Sequence, residues 1–90
     1  MEKIDQIIEA LLFASPEPLT QKKVNSIFDN NAPDLKSIIN KINNKYATKN
    51  HGIEILEIAG GFQIRTKSDF DNYVRKLLNN SGHLYLSQAA

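Results

Sequence analysis

Few side chains in this chain could carry out chemistry, and their spacing does not bring them together. His51 and His83 lie in or beside loops, with no second His at the spacing of a helical metal motif. With Cys 0, a thiolate cannot complete such a site or act as a nucleophile. Both histidines therefore read as surface residues. Glu54 and Glu57 are three apart in a segment patterned as a strand, so they point to opposite faces and cannot share a proton-transfer task. Gly60-Gly61 is too short to cradle a phosphate and precedes a strand instead of a helix N-terminus. None of the serines sits in a G-x-S-x-G elbow. The expectation is a chain without catalysis, cofactor or metal.

A second chemistry, contact with nucleic-acid phosphates, rests on one segment. Lys36, Lys41, Lys45 and Lys49 share a stretch in which Asp34 is the one acid, and Asn40, Asn43 and Asn44 could pair with adenine. Arg65 and Lys67 follow in the strand region. The stretch has no Arg, the side chain suited to bidentate guanine contact, and lysines alternating with apolar residues are most often a solvated helix face. Lys+Arg 11 against Asp+Glu 10 leaves a net charge of +1, far from the basicity of a phosphate-binding domain. Direct nucleic-acid binding is thus expected to be absent or weak, and a DNA-binding regulator using Lys36, Lys41, Lys45 and Arg65 is the alternative reading.

The elements that would position these groups follow from apolar spacing. Ile4, Ile7, Ile8, Leu11 and Leu12 make the stripe of a first helix over 2–14, stopped by Ser15, Pro16, Glu17 and Pro18. Phe13 falls on the far side of that helix. It either tucks under the following loop or meets another chain. Thr20 can cap a second helix, about Gln21 to Phe28, by accepting from the Lys22 or Lys23 N–H, with Leu19 stapled to Val24 and Val24, Ile27 and Phe28 as its apolar face. Asp29, Asn30 and Asn31 break it, and Pro33 suits the first turn of a third helix carrying Leu35, Ile38, Ile39, Ile42 and Tyr46.

Gly52 to Thr66, GIEILEIAGGFQIRT, is the one stretch patterned as β structure. A turn of Gly60-Gly61 alone would bury Glu57. A three-residue turn, Ala59-Gly60-Gly61, places Leu56 and Ile58 on one face with Phe62 and Ile64, pairs Glu57 with Gln63, and asks Gly61 for a positive φ. In that register Ile53 and Ile55 occupy the opposite face beside Arg65, either packed beneath a helix or open to a partner. Ser68 then caps a fourth helix with the stripe Phe70, Tyr73, Val74, Leu77 and Leu78, ending at Asn79 to Gly82. Three helices, a hairpin wing and a further helix make a mostly helical α+β domain of the winged helix-turn-helix class.

Ninety residues suffice for one domain, and 41% hydrophobic with 23% charged residues is the balance of a folded globular chain. Residues 1–82 are read as that domain. Glu2, Asp5 and Glu9 interrupt the apolar start, which excludes a signal peptide or membrane span in that segment. The lack of cysteine fits a reducing, cytoplasmic compartment.

Three segments, IIEALLFASPEPLT at 7–20, EIAGGFQIRTKSDFDNYVRKLL at 57–78 and the closing LSQAA, resemble the amino-terminal domain of segregation and condensation protein B, a subunit of the bacterial chromosome condensin complex. From Gln21 to Ile55 the likeness is confined to the apolar pattern, with Lys, Asn and Ile where the family leads one to expect acidic residues. The resemblance implies a scaffold without catalysis, homodimeric through this domain and nucleoid-associated. It also implies binding to the kleisin subunit, segregation and condensation protein A, and through it to the condensin ATPase. Residues 83–90 then read as a linker and the truncated start of a second winged-helix domain. The motif residues Phe13 to Pro18 and Ala59 to Thr66 identify the family without marking a binding site. The apolar interface candidates remain Phe13, Ile53 and Ile55.

Overall fold

The computed structural model of the chain describes residues 3–29, 31–48 and 50–81. Helices α1 (Lys3–Ala14), α2 (Gln21–Phe28) and α3 (Leu35–Tyr46) are followed by strands β1 (Ile53–Ile58) and β2 (Gly61–Thr66), a 3₁₀ turn at Ser68–Phe70, and helix α4 (Asp71–Ser81). This is the mostly helical winged helix-turn-helix expected from the pattern. The boundary at residue 82, the segment 83–90 with His83, and Lys49 lie outside the described residues.

The core is one cluster drawn from every element up to β1: Ile8 and Leu12 of α1, Leu19 of the loop, Val24 of α2, Leu35, Ile39, Ile42 and Tyr46 of α3, and Ile55 of β1. Phe62 and Ile64 of β2 pack against it half-buried. The buried arc of α1 is rotated from the predicted one. Asp5, Ile8 and Leu12 face inward, whereas Ile4 is exposed. Ile27, assigned to the inner face of α2, is exposed as well.

Helix starts are fixed by specific donors. The Lys23 N–H donates to Thr20 Oγ1 at 3.2 Å, as expected of an N-cap. Pro33 lies outside α3, which begins two residues later than its placement in a first turn requires. There Gln21, the first residue of α2, accepts from the Leu35 N–H at 2.7 Å and donates to the Pro33 carbonyl at 2.9 Å. One amide thereby satisfies an orphan donor of α3 and locks the corner between α2 and α3. Ser68 does not cap α4. It starts the 3₁₀ turn, and the helix proper begins at Asp71.

The hairpin takes neither register weighed from the sequence. Ile58 pairs with Gly61, Glu57 with Phe62, Leu56 with Gln63 and Ile55 with Ile64, so the turn is Ala59-Gly60. Ala59 (φ 51°) and Gly60 (φ 80°) both occupy the left-handed region, as a type I′ turn requires. Gly61 serves a different purpose. A Cβ there would sit 2.8 Å from Pro18 Cβ and 2.9 Å from the Leu19 carbonyl oxygen, so its place in β2 admits no side chain. That close approach accompanies a third, one-residue strand: Leu19 N–H donates to Phe62 O at 2.8 Å, and Phe62 N–H to Leu19 O at 2.9 Å. The shift by one residue turns the sheet over. Ile53, Ile55, Phe62 and Ile64 now share the core face, while Leu56 lies outside, 41% exposed.

Candidate interaction surface

The third helix meets the sheet through polar groups, among them one of the amides expected to suit adenine. Asn43 Nδ2 donates to the Ile55 carbonyl at 2.8 Å, and its Oδ1 accepts from the Ile55 N–H at 2.9 Å. The side chain thus pairs with β1 as a neighbouring strand would, and is not free to read a base. Lys67 Nζ donates to the carbonyls of Tyr46 and, at 3.1 Å, of Thr48, occupying acceptors left over at the end of α3. The Tyr46 hydroxyl donates to Glu9 of α1, and the ring lies 5.5 Å from that of His51. Burial, and then the Glu9 carboxylate beside it, push the Tyr46 phenol up to about 12.

Lys41, Lys45, Asn44, Ile42 and Thr48 line a groove of about 430 Å³ whose remaining wall is Asp5. Asp5 is 5% exposed. Its Oδ2 lies 3.4 Å from Lys41 Nζ, and its Oδ1 has no hydrogen-bond partner among the described residues. A phosphate entering this groove would meet a carboxylate, and Lys41 already has its counter-ion. Arg65 Nε donates to Gln63 Oε1 at 3.2 Å on the outer face of the hairpin. Lys36 is exposed, and none of the described ion pairs includes it. The four cations therefore do not form one patch built around an anion. In the sequence Asp5 stands only as a charge interrupting the apolar start, although its place three residues before Ile8 and seven before Leu12 puts it in the inward column.

The apolar candidates separate on burial. Ile55 is 3% exposed within the core and Ile53 is half-buried against it, so both pack inward, the first of the two alternatives left open for them. Phe13 is 72% exposed at the end of α1, outside any loop cover. The turn residues Ala59 and Gly60 lie at the surface, with Gly61 buried beneath them. Sequence reasoning missed a larger apolar surface on α4, where Tyr73 and Leu77 are more than half exposed. The signal was the stripe itself, which says that a face seeks cover without saying where the cover comes from.

Among the described residues, no cluster of His, Asp and Glu has the makings of a metal site, and no helix is long and apolar enough to cross a membrane. Comparison with known proteins points in one direction. Segregation and condensation protein B of Clostridium tetani is 39% identical over 84 residues, 93% of this chain and 44% of that protein. The chain thus spans about half the length of the curated relatives it matches. A crystallised dimer of the ScpB N-terminal domain complexed with a ScpA peptide superposes with a TM-score of 0.68 at 27% identity, over 80% of this chain and 84% of that one. ScpB from Mycobacterium tuberculosis superposes over 97% of this chain and 54% of that one with a TM-score of 0.76; at 21% identity it speaks to the fold alone. The sequence signature of the segregation and condensation complex subunit ScpB matches residues 6–90, and the chain belongs to that family.

Proposed function

We propose that this chain serves as a non-catalytic scaffold subunit of the bacterial condensin complex. It pairs with a second copy of itself through this domain and binds the kleisin subunit, acting in chromosome condensation and segregation in the cytoplasm, at the nucleoid. The observation that carries the reading is the likeness to a ScpB N-terminal domain that is itself dimeric and complexed with a ScpA peptide, over 84% of that chain. The surface agrees in kind, because it offers exposed Phe13, Tyr73 and Leu77. ATP hydrolysis would then belong to another subunit, and this one would act by holding surfaces together.

Sedimentation equilibrium at micromolar concentration, in low salt and at about 0.5 M, where the Debye length is only a few ångströms, tests the reading. A mass of two chains in both conditions, together with saturable binding of a ScpA-derived peptide by calorimetry, supports it. A single-chain mass in both, or a peptide that does not bind, overturns the corresponding half. DNA retention that collapses with salt would instead point to phosphate contact through Lys36, Lys45 and Arg65.

A further inference from the structure

The solvent face of α3 carries cations and amides in an arrangement that suits a phosphate backbone. Lys36, Asn40, Lys41, Asn44 and Lys45 are all exposed and fall within an arc of about 180°, and α3 itself contains no acid. In a helix-turn-helix this is the helix that enters the major groove. Asp5 reaches it from the first turn of α1, and is the one acid lining the groove beside Lys41 and Lys45. The helix dipole favours an acid in the first turn, yet an outward position would serve it, and Asp5 faces inward. The inward column of α1 otherwise holds Ile8 and Leu12. Asp5 is 5% exposed, its Oδ1 lacks a hydrogen-bond partner among the described residues, and the Lys41 side chain that pairs with it is half exposed. A carboxylate so placed costs more in lost hydration than one half-exposed lysine offsets, and an apolar side chain would serve the core at least as well.

We propose that Asp5 is a specificity residue that keeps nucleic acid off the third helix. This role is independent of pairing and of the kleisin, since it concerns what the helix rejects. Two effects combine in one carboxylate. Through its ion pair it withdraws Lys41 from a passing phosphate, and it sets a fixed negative charge in the groove that a phosphate seated between Lys41 and Lys45 must approach. Because the acid is buried, salt and solvent screen it less than they screen the exposed lysines, so the repulsion persists where the attraction fades. Specificity is often set in this way, by a like charge placed against the wrong partner. Removing the charge while keeping the shape leaves Lys36, Lys41 and Lys45 along one helix face with no acid in the groove beside them. That is a footing for phosphate contact whatever the DNA sequence.

The test is fluorescence anisotropy of a labelled duplex of about 20 base pairs and mixed sequence, titrated with the chain at about 50 mM and about 200 mM salt. Circular dichroism confirms that each variant is folded. Asp5→Asn is expected to bind about tenfold tighter than the wild type at the lower salt, with a salt slope steeper by about one unit for the phosphate that Lys41 then contacts. Adding Lys41→Gln to Asp5→Asn is expected to remove the gain. Asp71→Asn changes the net charge equally on α4, which does not line the groove, and should bind as the wild type does. Asp5→Leu, suited to the inward column, should repeat the gain and melt no lower than the wild type. Wild type and Asp5→Asn that bind alike, both tightly or not at all, overturn the role of Asp5. An equal gain in Asp71→Asn, which would mark a general effect of net charge, overturns it too, as does a gain that survives Lys41→Gln. A lowered melting temperature in both Asp5 variants without tighter binding would assign the acid to folding and overturn it likewise.

Discussion

Helices α3 and α4 carry nearly the same apolar signature and have opposite fates. Helix α3 places five apolar residues three and four apart, and α4 places four, with Phe70 of the preceding turn as the fifth. In α3 four of them, Leu35, Ile39, Ile42 and Tyr46, are buried against α1, α2 and β1, whereas in α4 and the turn beneath it Phe70, Tyr73, Leu77 and Leu78 are all exposed. What differs is topology. Helix α3 is followed by a hairpin that folds back on it, while α4 follows the hairpin and runs outward. Periodicity states that a helix has a face to hide, and the connections before and after it decide whether the cover comes from the same chain.

The contrast can be broken or sharpened by mutation. Ile42→Ala, at 1% exposure in the centre of the core, should cost about 3 kcal/mol in urea unfolding. Leu77→Ala should change the stability of the single chain by less than about 0.5 kcal/mol. Equal costs would mean that α4 belongs to the core after all. Asn43→Ala strands the N–H and carbonyl of Ile55 and should cost about 2 kcal/mol, with faster amide exchange at Ile55; a neutral result would deny that α3 needs this pairing to hold the sheet.

Tyr46 gives a pH signature to the buried side of the comparison. Its phenol titrates at about 12 in the fold against 10.0 otherwise, so the unfolded chain loses the proton first. Stability is then complete below pH 10 and declines as pH rises from 10 towards 12. Tyr46→Phe should remove that decline, visible in melting temperatures across the range, at a cost of about 1 kcal/mol near neutral pH. The smallest effect belongs to the turn. Ala59→Gly relieves a left-handed L-residue and should stabilise by about 0.5 kcal/mol, measured as a shift in the urea midpoint.

Element existence was legible because helices and strands leave periodic traces, and α2 was predicted to the residue. The hairpin register was not. The pair Gly60-Gly61 carries two separate requirements, a positive φ at one residue and room for Pro18 and Leu19 at the next, and only the first is written locally. Because a strand alternates, that single residue reverses which isoleucines face the core and turns Ile55 inward. The fate of Asn43 was equally hidden. An amide that closes two hydrogen bonds to a strand looks in sequence like one that awaits a base, since the partner lies twelve residues downstream. Asp5 and Lys41 are further apart still, and nothing but the fold brings them together.

The two-stranded sheet carries its own protection against strand addition. Leu19 occupies the outward backbone groups of Phe62 on one margin, and Asn43 occupies those of Ile55 on the other. Each strand has only six residues, so only every second one turns its backbone outward, and one of those is spoken for on either side. An extended peptide seeking to join the sheet would find no uninterrupted margin, and the wing is guarded against edge-to-edge aggregation by the same two contacts. Side-chain surfaces, such as exposed Phe13 on α1 and Leu56 on the outer face of the hairpin, are left as the continuous ground for contact.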